Sequence, residues 1–137
     1  MPDSLFQIEV VSPARPLFKG EAGSLVAEAY DGEIGVLPGH APLVTMLGTG
    51  VVTVKYAGLR KGEERFAVRG GFLQVLGRKV TLLVTEARRA EDVDAPKVKA
   101  ALDGVLETLH HPPSDAEYER LLDERRWLQS QLKIAAK

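Results

Sequence analysis

The sequence has no cysteine, which excludes disulfides and thiol chemistry and leaves the compartment open. It also has almost no net charge. Lys and Arg number 18 against 19 Asp and Glu, a formal −1, so no global field draws nucleic acid or an anionic membrane. No apolar run approaches the roughly 20 residues that cross a bilayer. The opening Met1-Pro2-Asp3-Ser4 lacks a basic stretch followed by a long apolar one, which speaks against a signal peptide. Internal repeats and low-complexity tracts are missing as well. Histidine is scarce, at three residues, and His40 has no second His or carboxylate pair beside it at metal-ligand spacing.

The 137 residues, 45% hydrophobic and 27% charged, can bury one core or a core plus an appendage. Their most punctuated stretch is residues 31–43, where three glycines and two prolines separate apolar side chains. Asp31-Gly32 reads as a tight hairpin turn, residues 33–37 as a short strand and Pro38-Gly39 as another turn, while Pro42 disfavours helix at Ala41. Around this stretch the pattern is β. Phe6, Ile8 and Val10 alternate with polar residues, as do Leu25, Ala27 and Ala29. Leu17-Phe18-Lys19 leads to Gly20, so any strand there is very short. Residues 43–47 form a strand ended by Gly48-Thr49-Gly50, and 51–56 form another closed by Ala57-Gly58. Residues 64–68 alternate again, Gly70-Gly71 turns them into 72–76, and Gly77-Arg78-Lys79 makes the last hairpin into 80–85. About ten short strands at close spacing predict an antiparallel sandwich or barrel, and the lack of room for crossover helices argues against parallel pairing.

Near residue 87 the pattern changes. Residues 87–92 read as a charged link, Asp94 as an N-cap, and Val98, Leu102, Val105, Leu106 and Leu109 as one helix face. His110-His111-Pro112-Pro113 ends that helix. Ser114 caps a second, with Glu117 at capping-box spacing, and Tyr118, Leu121, Leu122, Leu128 and Leu132 share a face that Arg125 interrupts. The fold class is α+β, mainly β: a sandwich unit over 1–86 and an antiparallel helical hairpin over 87–137.

Candidates for chemistry are few. His40 lacks a partner for catalysis. The glycines of 31–39 lack the Gly-Lys-Ser/Thr ending of a phosphate loop. His110 and His111 point about 100° apart on a helix and would not chelate one ion. Arg125-Arg126-Trp127 lies on an otherwise acidic helix, which favours a solvated face or an acidic protein partner over nucleic acid.

Residues 31–43, Asp-Gly-Glu-Ile-Gly-Val-Leu-Pro-Gly-His-Ala-Pro-Leu, resemble the signature of the ε subunit of the rotary ATP synthase. Val10-Val11-Ser12-Pro13 before it, Gly48-Thr49-Gly50 after it, and Val68-Arg69-Gly70-Gly71-Phe72-Leu73 and Val80-Thr81-Leu82-Leu83 later follow in the family's order. The similarity is close over 5–86 and loose over 87–137.

The resemblance implies a non-catalytic central-stalk subunit of a proton- or sodium-driven synthase. The sandwich would bind the γ subunit on one side and the polar loops of the c-ring at one end, coupling ring rotation to the catalytic head. Asp31, Gly32, Glu33 and His40, Ala41, Pro42 fall on the family's ring-facing loop. The hairpin would regulate, lying against the sandwich or extending into the head to block ATP hydrolysis. There Arg120, Arg125, Arg126 and Lys133 would meet acidic segments of the catalytic α and β subunits. Some members bind ATP through a pattern resembling Ile/Leu-Asp-x-x-Arg-Ala. Here Val93-Asp94-Ala95-Pro96-Lys97-Val98 keeps Asp94 but puts Lys97 for Arg and Val98 for Ala. Lys lacks the planar fork of Arg, and Trp127 and Gln131 stand near the places of the second-helix arginines. The implied cofactor is none, with ATP binding weak or absent. Neither a metal nor nucleic acid is expected, and membrane association would be indirect, on the cytoplasmic face of the bacterial inner membrane. Two other classes fit the residues alone: a free-standing adaptor whose hairpin docks a partner helix, and an enzyme on a β-sandwich, against which the lack of a convergent nucleophile and base weighs.

Overall fold

The computed structural model describes residues 5–57, 61–111 and 114–135. Eight strands come first: β1 (Phe6–Val11), β2 (Pro16–Ala22), β3 (Ser24–Ala29), β4 (Gly32–Val36), β5 (Leu43–Met46), β6 (Thr49–Lys55), β7 (Glu63–Leu76) and β8 (Lys79–Arg89). A 3-10 turn at Ala90–Asp92 leads to helices α1 (Ala95–Leu109) and α2 (Asp115–Ala135).

Hydrogen bonding links the strands in the order β2-β1-β8-β7-β6-β3-β4, with β5 also on β7. The sheet folds over on itself because its long strands serve two layers. β7 pairs with β6 over Glu63–Arg69 and with β5 over Phe72–Val75. At the break, Gly70 and Gly71 both take positive φ, +75° and +122°. Inward parity changes there too: Phe66 and Val68 are buried before it, Leu73 and Val75 after it. Side chains alternate strictly along a strand, so that change sends the two halves of β7 into facing layers. The first layer holds β4, β3, β6, the front of β7 and the back of β8, which pairs with it from Phe66↔Arg89 to Arg69↔Glu86. The second holds β2, β1, the front of β8, the back of β7 and β5. One apolar cluster fills the space between, including Ile8, Val10, Leu25, Val36, Val54, Phe66, Leu73 and Leu82.

Several sequence expectations are corrected by this arrangement. Gly70-Gly71 is not a turn but the passage of one strand between layers, which is why eight strands replace about ten. β2 is seven residues long rather than very short, since β1 pairs it from Phe6↔Ala22 to Val11↔Pro16. A Cβ on Gly20, in its middle, would lie 3.3 Å from the Phe18 ring, so a side chain there would crowd it. Thr49 and Gly50 open β6 instead of ending β5. One pair is parallel, β1 with β8. No crossover helix is needed, because the rest of the sandwich forms the connection. The 87–92 link is strand as far as Arg89. That residue lies over the Phe66 ring at 5.3 Å and donates to the Leu17 carbonyl, tying the end of β8 to β2.

The turns mostly follow the residues that encode them. The Leu37–His40 turn closes through His40 N–H to the Leu37 carbonyl at 3.1 Å, with Pro38 second and Gly39 third at φ +85°, the geometry of a type II turn. Gly77 and Arg78 join Leu76 to its partner Lys79. The β3–β4 turn is displaced by one residue from the expected Asp31-Gly32. Ala29 pairs with Gly32, so Tyr30-Asp31 forms the loop and Gly32 already belongs to the strand. Met1–Ser4, Gly58 and the Pro112-Pro113 turn lie outside the described residues.

Asp94 caps α1, accepting from the Lys97 amide at 3.3 Å, and Ser114 accepts from the Glu117 amide at 3.1 Å ahead of α2. The helices pack on each other, and α2 packs on β6, β7 and β8. α1 buries only Val98, whereas α2 buries Leu121, Trp127, Leu128, Ser130, Gln131 and Ile134. The appendage therefore rests on the sandwich through α2.

Candidate functional site

The outer faces of the two layers differ in cover. On the second layer, register places Met46, Phe72, Leu83 and Val11 in one row across β5, β7, β8 and β1. Val44 and Leu76 flank that row on the same face. Met46, Phe72 and Leu83 are each about half exposed, at 53%, 50% and 52%, and Val44 and Leu76 more so, at 66% and 62%. Solitary exposed apolar residues are ordinary, but five large ones adjoining on one sheet face mark a contact surface.

The outer face of the first layer is covered by α2. Trp127 and Ile134 sit on Ala67, with Val51 and Val93 beside them. Arg69 and Arg88 place their guanidinium carbons 5.8 and 5.4 Å from the centre of the Trp127 ring, within cation–π range. Arg69 donates through Nε to Asp123 Oδ2 at 3.0 Å, and its Nη2 lies 2.9 Å from the same oxygen and 3.0 Å from Glu124 Oε2. The other Asp123 oxygen accepts from the Thr49 hydroxyl at 2.7 Å. Burial opposes the Arg69 charge, but the hydrogen bonds with Glu124 and Asp123 outweigh it and hold its pKa above the ordinary value. Of these residues the sequence singles out only Trp127 as a candidate for contact; Thr49 and Arg69 fall within the family's motifs and Val93 within the ATP pattern, none of them as a site residue. The signal was the recurrence of 123, 127, 130/131 and 134 at helical spacing, hidden because Asp123, Ser130 and Gln131 are polar.

The residues expected to face the ring do not form one loop. Asp31 precedes β4, Gly32 and Glu33 open it, and His40, Ala41 and Pro42 follow its other end. Between them β4 pairs, among the described residues, with β3 alone, and its far edge is open there. Asp31, Gly32, Glu33, Ala41 and Pro42 are exposed and His40 is half-buried. His40 Nδ1 lies 2.6 Å from the Ala41 carbonyl oxygen, so the ring organises its own turn. The six residues thus flank an exposed edge strand.

The four cations assigned to the catalytic head also separate. Arg126 and Lys133 share a face of α2 and line a cleft of about 470 Å³ with Glu28, Glu33 and Arg65. Arg120 is exposed and paired with Glu117, whose carboxyl it holds below the ordinary range. Arg125 turns into the seam between the helices, lined by Leu106, Leu109, His110, Tyr118 and Leu122, and its Nε is buried with no hydrogen-bond partner among the described residues. Asp94 is engaged as the helix cap, with Lys97 exposed beside it. Among the described residues no group of three or more His, Asp or Glu is arranged to hold a metal, and no helix is long and apolar enough to cross a membrane.

Residues 5–90 match the family described as ATP synthase, delta/epsilon chain, β-sandwich domain. This defines the class: a sandwich-bearing small chain of the ATP synthase. Among curated relatives, the ATP synthase epsilon chain of Brevibacillus brevis is 43% identical over 98 residues, covering 72% of this chain and 73% of the relative. That of Moorella thermoacetica is 35% identical over 128 residues, covering 93% and 94%. A chain in the cryo-EM structure of the Euglena gracilis mitochondrial ATP synthase superposes with a TM-score of 0.81 at 22% identity, over 98% of this chain and 82% of that one, a likeness of fold. The protein belongs to the ATP synthase epsilon chain family, and it is a non-catalytic rotor-stalk subunit of that complex.

Proposed function

We propose that the two units divide the work, with the sandwich coupling the c-ring to the γ subunit and the hairpin regulating ATP hydrolysis. The observation that carries this reading is the unequal cover of the sandwich, one outer face closed by α2 and the other open and apolar. The open face, centred on the Met46–Phe72–Leu83–Val11 row, is the surface assigned to γ. The ridge from Asp31, Gly32 and Glu33 along β4 to His40, Ala41 and Pro42 is assigned to the polar loops of the c-ring. Its polar, charged turns and unpaired strand edge suit hydrophilic loops. In this reading the sandwich unit includes β8 through Arg89, where the strand ends.

In the extended state Arg120, Arg125, Arg126 and Lys133 would face acidic segments of the α and β subunits of the head. Arg125 Nε, buried and with no partner among the described residues, would gain one there. Asp94 spends its carboxylate on the helix cap, which supports a hairpin working without bound ATP. In the cell the chain would sit peripherally on the cytoplasmic face of a bacterial inner membrane, held there by the complex.

Phe72→Asp places a charge in the middle of the open face without touching the core. Co-purification with γ is expected to fall by at least about tenfold, a loss of about 1.4 kcal/mol, with the circular dichroism of the chain unchanged. Full assembly of both Phe72→Asp and Met46→Asp would remove γ from this face. For the ridge, Glu33→Cys is expected to crosslink to a cysteine placed in a c-subunit loop, in a chain that remains folded. Crosslinks only to the catalytic subunits would overturn the ring assignment.

A further inference from the structure

We infer that Arg69 is the latch that keeps the hairpin on the sandwich, so that one side chain of β7 sets the balance between docked and released forms. The inference rests on the reading of the hairpin as a movable unit. α1 is carried by α2, so whatever holds α2 holds the whole hairpin. The apolar seat of α2 on the sandwich is small: Trp127 and Ile134 on Ala67, Val51 and Val93. Polar contacts around that seat then decide whether the helix stays.

Those contacts converge on Arg69. Its fork holds Asp123 and Glu124 together, and the same guanidinium lies against Trp127. Asp123 and Glu124 are neighbouring carboxylates, with side chains 39% and 28% exposed, that face the sheet side by side. With Arg69 present they bind the sheet. Without it, Asp123 keeps the Thr49 hydroxyl, and two like charges are pressed against a partly desolvated surface, so attraction becomes repulsion. Arg88 does not substitute: it lies on the Trp127 ring, and its ion pair is with Glu86, at 3.8 Å. Lysine at 69 would keep the charge but not the planar fork that serves two acids and an aromatic ring at once.

Trp127 is the chain's single tryptophan, so its emission reports α2 docking in the full-length protein. Arg69→Ala and Arg69→Asp are expected to shift that emission to the red and open it to iodide quenching. Amide exchange over residues 121–134 should quicken by on the order of tenfold, while strand amides stay protected. Arg69→Lys should fall between. The swap Arg69→Asp with Asp123→Arg should recover much of the docking, a rescue that mere loss of packing would not give. Unchanged Trp127 burial and α2 exchange in both Arg69→Ala and Arg69→Asp would overturn the latch and leave the apolar seat as the holding element. The same variants in the assembled complex separate the latch from the regulatory reading. Release of α2 in the isolated chain with unaltered ATP hydrolysis in the complex would uphold the latch and sink regulation by the hairpin.

Discussion

Removing residues 93–137 is expected to raise ATP hydrolysis by the assembled synthase while leaving assembly and ATP synthesis largely intact. The cut spares Arg89, which covers Phe66 and bonds to Leu17, and it spares every pairing of β8. The core cluster contains no residue of either helix, so the sandwich keeps its interior. What the cut loses is the unit proposed to enter the head. A regulatory coupling of about 1–3 kcal/mol corresponds to about 5–150-fold, and a rise of at least about fivefold is the expectation. The measurement is hydrolysis rate together with proton pumping in membranes carrying the truncated chain. Unchanged hydrolysis with lost pumping would put the hairpin in the coupling path and overturn its regulatory role.

A second large effect is expected from a single methyl group. Gly71 has φ +122°, and a Cβ there would fall on the Leu83 carbonyl oxygen and 2.8 Å from the Val84 Cα. Both obstacles are backbone of the paired strand, which cannot turn aside as a side chain would. Gly71→Ala is expected to cost more than about 4 kcal/mol, much of a small domain's stability. Gly35 is the internal comparison, because a Cβ on it meets nothing within 4 Å, and Gly35→Ala should stay within about 0.5 kcal/mol. Urea unfolding of the two variants decides the matter. Equal midpoints would mean that the strands part at Gly71 without penalty.

Gly70 and Gly71 mark the boundary of what the sequence discloses. Alternation at Phe6, Ile8 and Val10 and at Leu25, Ala27 and Ala29 was enough to place strands, because one face of each is buried. Pro38-Gly39 and Gly77 encode their turns through local φ preference. Gly70-Gly71 carries the same local signal, yet β6 before it and β5 after it keep β7 one continuous strand across the bend, and only those long-range partners distinguish a strand passing between layers from a turn. The parallel β1–β8 pair is equally non-local. On α2, Leu121 and Leu128 were visible as an apolar face. The face that meets the sheet was not, since it is built from Asp123, Glu124, Ser130 and Gln131 around one Trp. The family signature at 31–43 identified the chain, but its turns stand at opposite ends of β4, a separation that residue order alone does not convey.

The passage of β7 and β8 through both layers also has a mechanical consequence. In a sandwich whose sheets touch only through side chains, a sideways force is resisted by dispersion contacts, each worth about 0.1–0.2 kcal/mol and easily exchanged as one sheet slides. Here two adjoining strands continue covalently from one layer into the other, bonded to each other on both sides of the bend. Shear between the layers would have to stretch peptide backbone or strip hydrogen bonds from a ladder. Load received on one face of a stalk subunit built this way travels along the chain itself, and the body turns as one piece.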